Sequence, residues 1–118
     1  MEEIRTGSFD GRNLVGQAHE IRGKDAMGIT IYGTEATPIS DLIIDGNEIF
    51  NCDPARSEAL TLNGNVMGFQ VTNNYVHDVN NIGIDFIGGE AWVGKNPDRV
   101  ARQGLCKGNR VVRCRANY

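Results

Sequence analysis

His77 and Asp78, side by side in "NYVHDVNN", are the sharpest polar pair in the chain. An imidazole can change charge near neutral pH and a neighbouring carboxylate can orient it, so His77 is a candidate general base or ligand for a sugar hydroxyl. Asp78, or Asp85 further along, could accept sugar hydroxyls or hold Ca2+; the residues call for no other cofactor. A structural reading stands beside this one: His77 caps the turn before Asn80 and Asn81, and Asp78 pairs with Arg113. His19 and Glu20 repeat the pair earlier in the chain, which favours corner structure for both.

The second concentration of chemistry lies between Gly89 and Gly104, in "EAWVGKNPDRVARQ". It holds the chain's single Trp, Trp92, together with Lys95, Arg99 and Arg102. An indole can stack on a pyranose face, and clustered cations suit the carboxylates of an acidic sugar. A lyase acting on uronates needs a cation near the carboxylate and a base near C5. His77, Lys95 and Arg99 are the candidates for that catalysis. Trp92, Arg102, Asp78, Asp85 and Glu58 are the candidates for substrate contact. The alternative is that Trp92 covers the side of the fold while the arginines pair with Glu90 and Asp98. Glu58, in "DPARSEAL", reads as a carboxylate on a loop before a strand, where it reaches substrate or caps the loop.

The elements that carry these residues are short. Fifteen Gly and many Asn accompany only 7% aromatic residues, which favours tight turns over long helices. The one helix candidate is "NPDRVARQG", residues 96 to 104, with Pro97 and Asp98 early and Gly104 at its end. Elsewhere the apolar signal is brief alternation, as in "GITIYG", "DLIIDG", "ALTLNG", "GFQVTN" and "GIDFIGG". These segments repeat. With Asn47 set over Asn74, an offset of 27, Ile44 falls on Val71, Ile49 on Val76 and Cys52 on Val79. With Asn74 set over Asn109, an offset of 35, Val71 falls on Cys106, Val76 on Val111 and Val79 on Cys114. Between them, Ile29 and Ile31 match Leu60 and Leu62, which match Ile84 and Phe86. "GQAHEIRG" is a fainter earlier copy.

Uneven spacing with constant residue types at matched positions predicts stacked coils whose loops differ. The spacing predicts parallel strands, alternate residues facing a shared core, and an inward ladder of Asn47, Asn74 and Asn109 amides. The recurrent Asn is expected to supply the left-handed backbone of a corner. Thr30, Thr61 and Asp85 should line one outward face, and Phe50, His77 and Val112 its neighbour.

"DLIIDGNEIFNC", "GFQVTNNYVHDVNNIGIDFIGGE" and "GNRVVRC" resemble the repeats of right-handed parallel β-helix proteins of the pectate-lyase-like superfamily, over roughly residues 14 to 118. The resemblance implies an all-β right-handed solenoid of about four coils, forming a single domain over residues 1–118. Residues 1–13 form a polar N-terminal segment and 91–103 an insertion of loop or short helix. Many such proteins are polysaccharide lyases or glycoside hydrolases; others are tail spikes or adhesins. The implied function is therefore a carbohydrate-active domain, a segment of a lyase or hydrolase acting on acidic polysaccharide. Its alternatives are a non-catalytic carbohydrate-binding or surface-attachment module, and a structural fragment with no activity alone.

Other classes are excluded on simple grounds. A net charge of −3 leaves no excess of cations to neutralise nucleic-acid phosphates. No apolar run approaches the roughly 18 residues of a membrane span. The start, "MEEIRTGSFDGRN", has no secretory h-region; the family resemblance implies an extracellular or cell-surface place if the chain is part of a longer protein. "GKNPDR" lacks P-loop spacing. The three cysteines lack metal-site spacing and are expected as buried thiols, with Cys52 and Cys114 two coils apart and beyond disulfide reach. The last coil, "CKGNRVVRCRANY", shows no cap, so self-association by stacking of C-terminal coils is expected.

Overall fold

The structure is a computed structural model describing residues 3–5, 8–10, 28–54, 57–93 and 99–116. His19, Glu20, "GQAHEIRG", Lys95 and Asp98 lie outside the described residues. Among the described residues every regular element is a β-strand, so the chain is all-β. The strands are β1 (Glu3–Arg5), β2 (Ser8–Asp10), β3 (Ile29–Gly33), β4 (Ile39–Ser40), β5 (Ile43–Asp45), β6 (Glu48–Cys52) and β7 (Glu58–Gly64). After them come β8 (Val66–Met67), β9 (Gln70–Thr72), β10 (Tyr75–Val79), β11 (Ile82–Ile87), β12 (Leu105–Lys107) and β13 (Arg110–Cys114).

They form four sheets, in the orders β1-β5-β9-β12, β13-β10-β6-β2, β11-β7-β3 and β4-β8. Every strand pairing is parallel. Antiparallel neighbours can be joined by a tight turn, whereas parallel ones need a long crossover, so each partner strand here lies a full repeat away in sequence. The register follows the apolar columns: Ile44 pairs with Val71 and Val71 with Cys106; Ile49 pairs with Val76 and Val76 with Val111. A one-residue slip would turn each of these side chains out of the core. Ile44, Ile49, Leu60, Leu62, Val66, Val71 and Val76 are fully buried.

Between those columns runs a line of amides. The Asn47 N–H donates to Asn74 Oδ1 at 2.9 Å, and the Asn74 N–H to Asn109 Oδ1 at 2.9 Å. Each side-chain NH2 donates forward as well, at 3.1 and 3.0 Å, and backward to the carbonyls of Ile4 and Ile44. The left-handed backbone is not at these asparagines. It falls on the residue before each, Gly46, Asn73 and Gly108, with φ of 71°, 56° and 71°. Two further sets repeat at the same offsets: Asp41, Gly68 and Gln103, and Asn51, Asp78 and Arg113. The ladder residue needs its amide directed inward, and the preceding residue makes the corner that allows it.

Several sequence expectations are corrected. The earliest partner of β6 is β2, with Phe9 opposite Ile49, so part of the polar N-terminal segment joins two sheets. At that offset of 40 (Ser8 against Glu48) the sequence has Gly7 in place of the ladder Asn, which hid the copy. Thr61 pairs with Thr30 and Asp85 but is buried, because both faces of β7 are covered. Residues 99–104 form no helix; Val100 bridges Gly88 and Arg102 bridges Met67. Only Cys52 is a buried thiol: Cys114 is half-buried and Cys106 exposed, because β12 and β13 are sheet edges. Burial holds the Cys114 thiol pKa above its ordinary value. Gly104 follows Phe69 in its column, where a Cβ would sit 2.0 Å from the Phe69 ring, so no larger residue fits.

Asn74→Ala orphans the buried N–H of Asn47 and carbonyl of Ile44, at about 1–3 kcal/mol per group. Asn109→Ala removes the acceptor of the Asn74 N–H and the donor to the Val71 carbonyl, but Asn109 is only half-buried at a sheet edge, so the loss is smaller. Urea unfolding should place Asn74→Ala clearly below Asn109→Ala in stability; equal losses would contradict the ladder's role.

Candidate functional site

Alternation along β6, β10 and β13 sends one set of side chains outward in two columns. Glu48, Tyr75 and Arg110 form one column; Phe50, His77 and Val112 form the other. The planar groups stack. His77 lies against Phe50, with centroids 5.2 Å apart and planes 5° apart, and against Tyr75 at 4.2 Å. The Arg110 guanidinium sits 5.1 Å from the Tyr75 ring centroid, within cation–π range.

His77 is held at both ring nitrogens. Nε2 lies 2.7 Å from Glu48 Oε2, and Nδ1 lies 2.5 Å from Asp78 Oδ2. Both ring nitrogens thus face carboxylate oxygens, and Arg113 Nη2 lies 3.5 Å from Nδ1. Arg113 completes the cluster, with Nε donating to Asp78 Oδ1 at 2.6 Å and Nη2 to Oδ2 at 2.9 Å, a bidentate pair. Arg113, with His77 second, holds the Asp78 carboxyl far below the usual carboxylate range, and Asp78 in turn raises the Arg113 guanidinium. Asp78 and Arg113 occupy the left-handed corner, so the backbone that turns the chain also aims this pair along the strand-stacking direction.

Beside the cluster opens a cleft of roughly 670 Å3, lined by Asn51, Asp53, Asp78, Asn80, Arg113 and Arg115 among others. Asn80 Nδ2 donates to Asp53 Oδ1. Asn80 Oδ1 is buried without a partner among the described residues. Both oxygens of Asp78 are taken by Arg113 and His77, and no group of three or more His, Cys, Asp or Glu is placed for a metal among the described residues.

Of the sequence candidates among the described residues, His77 and Asp78 are brought together, and the others stand apart from them. Asp85, on β11, accepts the Phe86 N–H. Glu58 is the first residue of β7, not part of a loop; it is buried and takes a bond from Ser57 Oγ at 2.7 Å, so its carboxylate does not project toward solvent. Trp92 is 60% exposed and meets Tyr32 edge-on at 4.9 Å. Arg99 donates to the carbonyls of Thr34 and Val93, and Arg102 to Asn65 Oδ1 and the Val100 carbonyl. Glu90 is bonded by Asn63 Nδ2, not paired with these arginines. The described ends of this segment therefore lie beside β3, where Trp92 meets Tyr32, and beside the turn after β7, where Arg102 meets Asn65, while His77 lies on another sheet. Glu48 was missed in sequence because it aligns with Tyr75; its carboxylate reaches His77 diagonally, a contact that long side chains make across neighbouring strands.

No family model matches the chain, and no solved structure matches it. Over 53 residues, 45% of the chain, it is 47% identical to the uncharacterized protein YwoF of Bacillus subtilis (strain 168). That stretch spans 11% of the relative's own length.

A carboxyl whose folded pKa is depressed stabilises the fold above its unfolded value and loses that contribution as pH falls. For Asp78 the loss begins near the unfolded carboxylate value of about 4. Asp78→Asn should flatten the fall in melting temperature below about pH 4, and high salt should flatten it in the parent chain. An unchanged acid limb in the variant would contradict the Arg113–Asp78 assignment.

Proposed function

We propose that this chain is a segment of a right-handed parallel β-helix of the pectate-lyase-like kind, and that it binds a carbohydrate chain without cleaving it. Parallel pairing throughout, with β5, β6 and β7 followed one repeat later by β9, β10 and β11 in the same three sheets, supports the solenoid reading. The hand follows from the strong preference of parallel crossover connections for a right-handed path.

The observation that carries the binding reading is the outward face of β6, β10 and β13. Half-buried planar rings of Phe50, Tyr75 and His77 stack there, and Asp78 and Arg113, bonded to His77 and to each other, are among the amides, carboxylates and guanidinium groups that line the cleft. Planar rings suit the apolar face of a pyranose, and paired amide and charged groups suit its hydroxyls. The doubly engaged His77 speaks against cleavage. Both of its ring nitrogens are engaged by carboxylate oxygens, so neither stands free to take a proton from a substrate. Arg99 is committed to the carbonyls of Thr34, just past β3, and Val93, in a turn, and so is not a free cation beside His77. Cleavage of an acidic polysaccharide remains the second reading, carried by Arg113 and Arg115 at the cleft.

A glycan array of neutral and uronate oligosaccharides, paired with an absorbance assay for unsaturated uronate, tests both readings. Binding without product is expected. Tyr75→Ala should weaken that binding about tenfold, equivalent to about 1.4 kcal/mol, with an unchanged circular-dichroism spectrum. Product formation would make the chain a lyase, and absence of binding across the array would remove the carbohydrate assignment.

A further inference from the structure

Trp92 is 60% exposed, yet the turn that carries it is held at several points. The Val93 N–H donates to the Glu90 carbonyl at 3.0 Å. The Val93 side chain is buried against Gly64, where an added Cβ would sit 2.2 Å from Val93 Cγ1. The buried Asn63 amide donates to Glu90 Oε2 at 2.8 Å. Arg99 Nη1 donates to the carbonyl of Val93, next to Trp92, and to that of Thr34, two residues after Tyr32. One guanidinium thus ties together the two segments whose rings meet edge-on. The turn lies between β11 and β12, inside the chain, so the exposure of Trp92 is not that of a strand at the end of a sheet. A large apolar ring kept in water forgoes the stabilisation of burial, and an indole held there in a fixed setting suits a binding contact.

The charges around these rings reverse the preference expected from sequence, where the cations of this segment suit an acidic sugar. Arg99 is half-buried and turned toward two backbone carbonyls; Arg102 is half-buried and bonded to Asn65 Oδ1 and the Val100 carbonyl. Glu90, two residues before Trp92, is exposed, and among the described residues its side chain takes only the bond from Asn63. Glu35, next to Thr34, is exposed as well. The charge presented to solvent beside the rings is therefore carboxylate, which repels a uronate and attracts an ammonium.

We propose that the Tyr32–Trp92 corner binds a protonated amino-sugar residue, with the sugar ring on the exposed indole and its ammonium toward Glu90. Tyr32, edge-on to the indole, sets the side wall of that contact. Asn63 and Arg99 are positioning residues: the first holds the carboxylate, the second holds the two rings together. The proposal rests on the reading of the chain as a carbohydrate binder but uses a place apart from the β6, β10 and β13 face.

Trp92 is the chain's single tryptophan, so its emission reports this corner and no other. The full chain is titrated in mildly acidic buffer with a glucosamine oligomer, its N-acetylated counterpart, a galacturonate oligomer and the diamine putrescine. A saturable change in Trp92 emission is expected with the glucosamine oligomer alone. Glu90→Gln keeps an acceptor for Asn63 and should weaken that response about tenfold, the loss of one charge-assisted hydrogen bond, at unchanged melting temperature. No response to the glucosamine oligomer, or an equal one to the acetylated or galacturonate oligomer, would overturn the proposal. An equal response to putrescine would make the corner an ammonium site without sugar recognition and overturn the ligand class. Failure here with Tyr75-dependent glycan binding intact removes this corner alone, whereas absence of all binding across the glycan array removes the carbohydrate reading with it.

Discussion

A buried side-chain amide must be satisfied on every side or it destabilises the core that surrounds it. Asn74 meets this demand because Asn47 lies one repeat before it and Asn109 one repeat after, at the matching positions just before β6 and β13. The condition fixes which residues of the repeats oppose one another. Once Asn47 stands beside Asn74, alternation places Ile49 on Val76 in the core and Phe50 on His77 outside. The outward cluster is thus a consequence of the inward ladder, reached through the period of two that every strand imposes.

That cluster is built to stay as it is. Four charged or chargeable groups, Glu48, His77, Asp78 and Arg113, come from three adjacent strands and close their strongest bonds on one another. It ties β6, β10 and β13 together on their solvent side as the ladder does on their core side. Exposed ion pairs contribute little each, but the stacking of His77 between Phe50 and Tyr75 and the bidentate geometry of Arg113 limit the entropy lost in making them.

The inward half of the structure is legible in the sequence because it repeats. Ile or Val two residues after each ladder Asn, and Cys or Val three further on, state the register directly. Outward and edge positions are not written in the same way. Thr61 reads as solvent-facing from alternation, yet it is buried, since what covers β7 is remote in sequence. Cys106 reads as core from its column and is exposed, because burial needs a neighbouring strand and β12 is the last of its sheet. Glu48 escapes notice because pairwise alignment compares opposed residues, whereas a long carboxylate acts on a diagonal. The N-terminal strands are hidden by Gly7, which breaks the one motif that marks a repeat.

Amide hydrogen exchange resolved at single residues tests the ladder most directly. The account predicts that the N–H groups of Asn47 and Asn74 exchange only through global unfolding, while that of Asn109 exchanges orders of magnitude faster. Comparable, rapid exchange at all three would contradict a buried amide column and the register that depends on it.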